Sequence, residues 1–202
     1  MKILISGFEP FGKEKINPTQ KLIATISERK YDLGDVETIL LPVTVKEAGE
    51  MLKEKLDEVN PDYLISFGLY GGITHLSLER IGVNLVDARI PDNNGEQPVD
   101  LVIDKTGAAA YWTTLPIRAM EKALKEAMIP VRVSYTAGTY ICNFIMYTAL
   151  NHIAKKDLKT KSGFIHVPFI REQCVEFPKR PFMEFETILK GFEVVLSALK
   201  TE

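Results

Sequence analysis

With 202 residues, 25 basic against 27 acidic side chains and a formal charge of −2, the chain offers no positive excess to nucleic acid or to an anionic membrane surface. Its 46% hydrophobic content and mean hydropathy near zero suit one globular domain spanning 1–202 with a substantial core. No apolar run reaches transmembrane length, the N-terminal run is too short for a signal peptide, and two cysteines make no disulfide framework, so a cytoplasmic location is expected.

Strand-like and helix-like segments alternate along the chain. Lys2–Ser6 is an apolar β run ended by Gly7, and Asn17-Pro18 supplies an N-cap and a first-turn proline for a helix to about Arg29. Val36–Val43 reads as a second strand. Thr44 can then cap a helix with apolar residues at Ala48, Met51, Leu52, Leu56 and Val59, and Tyr63–Phe67 is a third strand ending at Gly68. Leu76–Ile90 reads as extended, Pro91–Gly107 as a polar loop long enough to be functional, and Leu115–Met128 as helical. A strand Val131–Tyr135, a helix from about Cys142 to Lys155, a strand Gly163–Val167 and a helix from about Glu184 to Leu199 follow. Such alternation predicts an α/β fold with a largely parallel sheet, undivided by repeats or linkers.

In open α/β sheets, reactive groups collect beyond the carboxyl ends of strands. Gly7-Phe-Glu-Pro-Phe-Gly12, Gly68-Leu-Tyr-Gly-Gly72, the turn before Cys142 and His166 in Gly163-Phe-Ile-His-Val-Pro168 all occupy such places in the predicted order. Cys142 is the most informative of these residues. A β run passes through a small-residue turn and delivers its thiol to the start of an apolar helix, where unpaired N–H groups and the positive end of the macrodipole favour the nucleophilic thiolate. Free cysteine is also commonly an inert core residue, and only partners decide between the two. Of the three histidines, His166 has the required placement, His152 reads as a surface residue on a Lys-flanked helix, and His75 follows a glycine turn. Glu79, beside Arg80, reads by itself as half of a solvated ion pair.

Three longer segments act together: Gly68 to Asn84 around Glu79, Val133-Ser-Tyr-Thr-Ala-Gly-Thr-Tyr-Ile-Cys-Asn143, and Gly163 to Pro168. Gly7 to Gly12 with Asn17-Pro18, and Asp87-Ala-Arg-Ile-Pro-Asp-Asn93, agree with them. In these blocks and their order the chain resembles the pyroglutamyl peptidases of the type I cysteine class along nearly its whole length. The resemblance implies a single α/β/α sandwich, a catalytic triad of Cys142, His166 and Glu79, no cofactor and no metal, and often a homotetramer. It implies peptides with an N-terminal pyroglutamyl group as substrates. The backbone N–H of Cys142 and the Arg89 side chain are its implied oxyanion donors, and Phe8 and Phe11 are placed around the lactam ring, with Asn17 near the same loop. The three roles suit amide hydrolysis, which needs a nucleophile, a base that returns its proton to the leaving amine, and a group that orients the base. An uncharged lactam is best held by an aromatic slot with a few backbone hydrogen bonds.

This chain departs from the family at Leu69, where relatives commonly carry Gln, at Ile73, where Arg is common, and at Gly82, where alanine is usual. The first two remove polar groups near the expected pocket. Three other readings compete. The run Gly7 to Lys13 has most of a P-loop's spacing, but Glu14 replaces the hydroxyl residue and Pro10 removes a cradling N–H. A nucleoside phosphorylase would share the fold class, and a catalytically silent binding protein would share the site. The chain has no HExxH or paired-cysteine spacing for metal catalysis.

Overall fold

Every residue from Ile3 to Phe8 of β1 (Lys2–Phe8) is buried, as a central strand covered on both faces requires. The computed structural model describes residues 1–32 and 34–201, so Leu33 and Glu202 of the expected unit lie outside the described residues. On β1 pack two parallel neighbours, β2 (Asp35–Leu41) and β3 (Tyr63–Leu69). The six-stranded sheet has the order β2-β1-β3-β8-β4-β7, with β4 at Leu76–Glu79, β7 at Val131–Ser134 and β8 at Lys161–Val167. β8 runs parallel to β3, but β4 runs antiparallel to β8 and parallel to β7. The sheet is therefore mixed, though mostly parallel. Two strands at one edge point against the other four.

Alternation assigns the strand residues to two faces. Ile3 and Ile5 of β1, Ile65 and Phe67 of β3 and Ile165 and Val167 of β8 join a core with α1 (Pro18–Ser27), α3 (Ile117–Glu126) and α5 (Phe185–Ala198). Leu4, Phe8, Leu64 and Phe164 join another with α2 (Val45–Val59) and α4 (Ile141–Lys155). Five helices among the described residues thus sandwich the sheet, which is the expected single-domain α/β/α architecture. None of them is long and apolar enough to cross a membrane.

Local differences from the sequence expectations have physical causes. β1 continues through Gly7 because that residue stays in the ladder opposite Leu40, and a Cβ there would lie 2.7 Å from Ile23 Cγ1 of α1. Only glycine permits that approach. The stretch expected to be extended from Leu76 to Ile90 breaks after Glu79, and β5 (Ile81–Val83) pairs instead with β6 (Ala110–Trp112), a short strand without a sequence signal. α3 begins at Ile117 and not at Leu115, because Pro116 keeps the residue before it out of the helical region. Thr44 stands at the N-cap of α2, but its hydroxyl donates to Glu47, while Asp92 accepts from the Val45 N–H at 3.2 Å. The cap comes from a loop 47 residues away.

The loop 91–107, long enough to be functional, makes structural bonds, and none of its residues is among those lining the cavity beside Cys142. Asp92 also accepts from the N–H groups of Asn94 and Glu96, and Asn93 Nδ2 donates to the Pro10 carbonyl at 3.0 Å. The start of α4 is tied down equally firmly. Asn143 is fully buried, accepts from Val83 N and donates to the carbonyls of Val83 and Leu85, each at 2.9 Å. Replacing it by alanine leaves buried backbone groups of the 83–85 segment unpaired. Asn143→Ala should cost about 2–4 kcal/mol, read as a lower urea midpoint at unchanged m-value.

Candidate active site

Strand register brings the chemistry-bearing residues to the face covered by α4. Gly68 of β3 pairs with His166 of β8, and His166 pairs with Ser77 of β4. Glu79, two residues on from Ser77, projects from the same face. His166 Nδ1 lies 2.9 Å from Glu79 Oε1, and Ser77 Oγ donates to the same oxygen at 2.9 Å. Glu79 and His166 are 1% and 4% exposed, so this is a buried pair and not the solvated partner of Arg80. Arg80 lies instead over the Trp112 ring.

Cys142 arrives from the opposite direction. β7 points against β8, so the thiol is not delivered at the carboxyl end of its preceding strand; residues 135–140 carry the chain back across the site. That return is pinned by Asp87 N donating to the Thr139 carbonyl at 2.8 Å, by Thr139 Oγ1 donating to the Asp87 carbonyl at 2.9 Å, and by glycine at the left-handed position 138 (φ +77°). Cys142 is then the second residue of α4, whose N-cap Tyr140 provides no side-chain cap. The N–H groups of the first turn are left for a ligand. Gly68 makes room for the helix end, since a Cβ there would lie 2.6 Å from Phe164 Cζ and 2.9 Å from Cys142 Sγ.

Cys142 lines the same cavity as His166 and interacts with it electrostatically, and with Nδ1 facing Glu79 the ring nitrogen left for the thiol is Nε2. Burial pulls the His166 pKa down, but the charge and hydrogen bond of Cys142, with those of Glu79, outweigh it and push the value up to about 9. The imidazole is thereby held protonated at neutral pH between two acceptors.

A cavity of about 620 Å³ opens beside Cys142 and His166, lined among others by Phe11, Leu69, Tyr70, Arg89 and Phe169. The structure separates the two phenylalanines expected around a ring. Phe11 lines the cavity, whereas Phe8 is the last residue of β1, 2% exposed, and packs on Phe164 with centroids 6.4 Å apart. Asn17 is 1% exposed, caps α1 through Thr19 N, and donates to the Glu9 carbonyl, holding the loop that carries Phe11. It supports that loop from outside the cavity lining. Arg89 is exposed on the cavity rim. Leu69 lines the cavity, and Ile73 is not among its lining residues. His152 pairs with Asp57 at 2.8 Å, and His75 is half-buried, its pKa lowered first by burial and then by Arg132. Cys174 is buried away from the cavity lining, and burial pushes its thiol pKa up. Lys13 and Glu14 lie on the rim, but α1 begins only at Pro18 and Glu14 is tied to Arg180, so no helix N-terminus follows the glycine loop as a P-loop requires.

Four residues that the sequence did not single out shape the site. Ser77 fixes Glu79, and its signal was its place two residues earlier on an alternating strand. Phe164 and Tyr70 flank the imidazole, with centroids 4.9 and 5.3 Å from it. Phe169 forms a wall against Gly71, where a Cβ would lie 2.4 Å from its ring. Among the described residues no three His, Cys, Asp or Glu side chains converge as a metal site requires.

Comparison with known proteins agrees along the whole chain. The family model for pyroglutamyl peptidase matches residues 1–202. A pyrrolidone-carboxylate peptidase of Thermococcus onnurineus is 46% identical over 198 residues, covering 97% of each chain. One from Bacillus thuringiensis is 40% identical over 199 residues, covering 98% of this chain and 93% of its own. Among solved structures, a mutant pyrrolidone carboxyl peptidase from P. furiosus superposes with a TM-score of 0.93 at 42% identity over 99% of both chains. Pyroglutamyl peptidase I from Bacillus amyloliquefaciens gives 0.95 at 34% identity, over 100% of this chain and 95% of its own. With a cysteine at a helix start, a buried histidine–glutamate pair and agreement at this level over its full length, the chain belongs to the pyroglutamyl peptidase family.

Proposed function

We propose that this protein is a cysteine peptidase that removes an N-terminal pyroglutamyl residue from peptides, with Cys142 as nucleophile, His166 as acid and base, and Glu79 as the residue that orients His166. The observation that carries the roles is the buried Glu79–His166 pair beside the half-buried Cys142, with Cys142 and His166 opening on one cavity. Nothing in the comparisons supports a phosphorylase.

The reaction follows from these positions. Cys142 Sγ attacks the pyroglutamyl carbonyl, and the negative charge that develops on its oxygen meets the free N–H groups at the start of α4, with Arg89 on the rim as a second donor. The C–N bond then breaks as His166 passes its Nε2 proton to the leaving amine. Water, deprotonated by the now neutral His166, cleaves the thioester, and Cys142 leaves as a thiolate beside the reprotonated imidazole. The lactam occupies the cavity beside Phe11 and Leu69, an apolar surface suited to an uncharged ring. A cytoplasmic homotetramer belongs to the same proposal, and light scattering of the purified protein checks the assembly.

Cys142→Ala should abolish hydrolysis of a fluorogenic pyroglutamyl amide while Cys174→Ala retains most of it. Peptide mapping after iodoacetamide should find inactivation tracking alkylation of Cys142; activity lost with Cys142 unmodified contradicts the assignment.

His166→Ala should fall to less than about a tenth of wild-type turnover, whereas Glu79→Gln keeps measurable activity. Because His166 is raised to about 9 and Glu79 contributes to that rise, kcat/KM should decline on an alkaline limb near pH 9 as the imidazolium proton is lost. In Glu79→Gln the limb should move to lower pH. A limb that stays in place removes Glu79 from the site.

Phe11→Leu should raise KM roughly two- to tenfold through lost ring contact. Phe8→Leu should leave KM within twofold and lower stability by about 1 kcal/mol, because Phe8 packs in the core behind Phe164. Substrate titrations and urea melts of both variants separate the two effects.

A further inference from the structure

His166 lies between two aromatic rings that differ in access. Phe164 is fully buried, and Tyr70 is 54% exposed. The Tyr70 ring sits against the imidazole with centroids 5.3 Å apart at 51°, and both residues line the cavity. Its backbone is not free to swing, since Tyr70 N donates to the Val167 carbonyl at 2.9 Å and the next residue, Gly71, packs flush on Phe169. Phe169 is in turn held by Arg180, whose guanidinium stacks 4.3 Å from its ring centroid and 4.2 Å from that of Phe177 while bonding Glu14 at 2.9 Å. Tyr70 and Phe169 both line the cavity. A large exposed aromatic ring fixed beside a catalytic imidazole does not serve the core.

The reaction itself states what must lie there. His166 can protonate the leaving amine only if that nitrogen comes within hydrogen-bond distance of Nε2. The Cα and side chain attached to that nitrogen then fall within a few ångströms of the imidazole. Phe164 closes one side of the imidazole, and the lactam occupies the part of the cavity around Phe11. On the open side the wall is Tyr70. Resting on the peptidase reading above, we propose that Tyr70, backed by Phe169, is the subsite for the first residue on the leaving side of the scissile amide, and that it selects an apolar or aromatic side chain there. Tyr70 acts as a specificity residue: the side chain that follows the lactam gains contact with its ring, and glycine gains none.

The test compares kcat/KM for pyroglutamyl-Phe-amide, pyroglutamyl-Leu-amide and pyroglutamyl-Gly-amide, followed by chromatographic release of the free amino-acid amide, in wild type, Tyr70→Ala and Tyr70→Phe. Wild type should favour the Phe and Leu peptides over the Gly peptide by about three- to tenfold, the scale of an aromatic contact. Tyr70→Ala should bring the three peptides to equal kcat/KM, the Phe and Leu peptides losing more than the Gly peptide, and a urea midpoint close to that of wild type shows that the variant is folded. Tyr70→Phe should keep the preference. A preference that survives Tyr70→Ala, or equal losses on all three peptides, overturns the proposal, the latter because Tyr70 would then act only on His166. A wild type that cleaves the three peptides equally overturns it as well and leaves the peptidase reading standing. A wild type that cleaves none of them overturns that reading and this proposal with it.

Discussion

The approach of the α4 N-terminus to the sheet at Gly68 is the constraint on which the site depends. A methyl group there would meet the Phe164 ring and the Cys142 sulfur inside van der Waals contact. Removing that one side chain lets a helix end stand directly over a strand, so that the thiol, the imidazole on the neighbouring strand and the free N–H groups of the first helical turn converge. Asn143 then locks the approach, since its side chain clamps the helix to the end of β5 and to Leu85 beyond it with three hydrogen bonds. A short, fully buried amide thus helps to decide where the Cys142 thiol stands. Packing and chemistry are the same feature at this point.

Burial of Glu79 converts an ordinary charge into a device. A lone carboxylate in the interior is costly unless it is paired and hydrogen-bonded. One of its oxygens takes both partners, Ser77 and His166, and the other has no partner among the described residues. The carboxylate is thus turned towards the imidazole, and its charge is best compensated when His166 is protonated. The same arrangement links folding to pH. Because the His166 pKa is raised from 6.5 to about 9 in the folded chain, its stabilising contribution is full below the lower value and is lost as pH rises through the upper one. Imidazole protonation and fold stability therefore draw on one set of contacts.

Aromatic rings carry this order outward from the core. Phe8 packs on Phe164, Phe164 on His166 and His166 on Tyr70, and of the four only Tyr70, at 54%, is exposed. The imidazole is therefore immobilised from behind and met by an accessible ring in front. A second support begins at Arg180, which bridges Phe169, Phe177 and Glu14 and so joins the segment after β8 to the loop after β1. The cavity walls come from distant parts of the chain, and two of them, Tyr70 and Phe169, are braced by the His166 ring and the Arg180 guanidinium. Such bracing holds a binding surface in shape without a ligand to organise it.

Period and punctuation made the α/β alternation legible, because apolar runs of strand length, Asn17-Pro18 and the glycines after strands act over a few residues. Cys142, His166 and Glu79 were legible as motif residues. Their chemistry was not, since Glu79 beside Arg80 is locally an ordinary ion pair and a lone cysteine is locally an ordinary core residue. Tertiary structure decided their surroundings, through the register that sets Ser77 opposite His166 and the reversed direction of β4 and β7. It also separated Phe8 from Phe11, which look equivalent along the chain, because β1 continues two residues beyond its expected end and turns Phe8 into the core. The Asp92 cap on α2, the β5–β6 pair and the place of Tyr70 against His166 had no local signal. Periodicity reports which face a side chain takes, and only the packed sheet determines what that face meets.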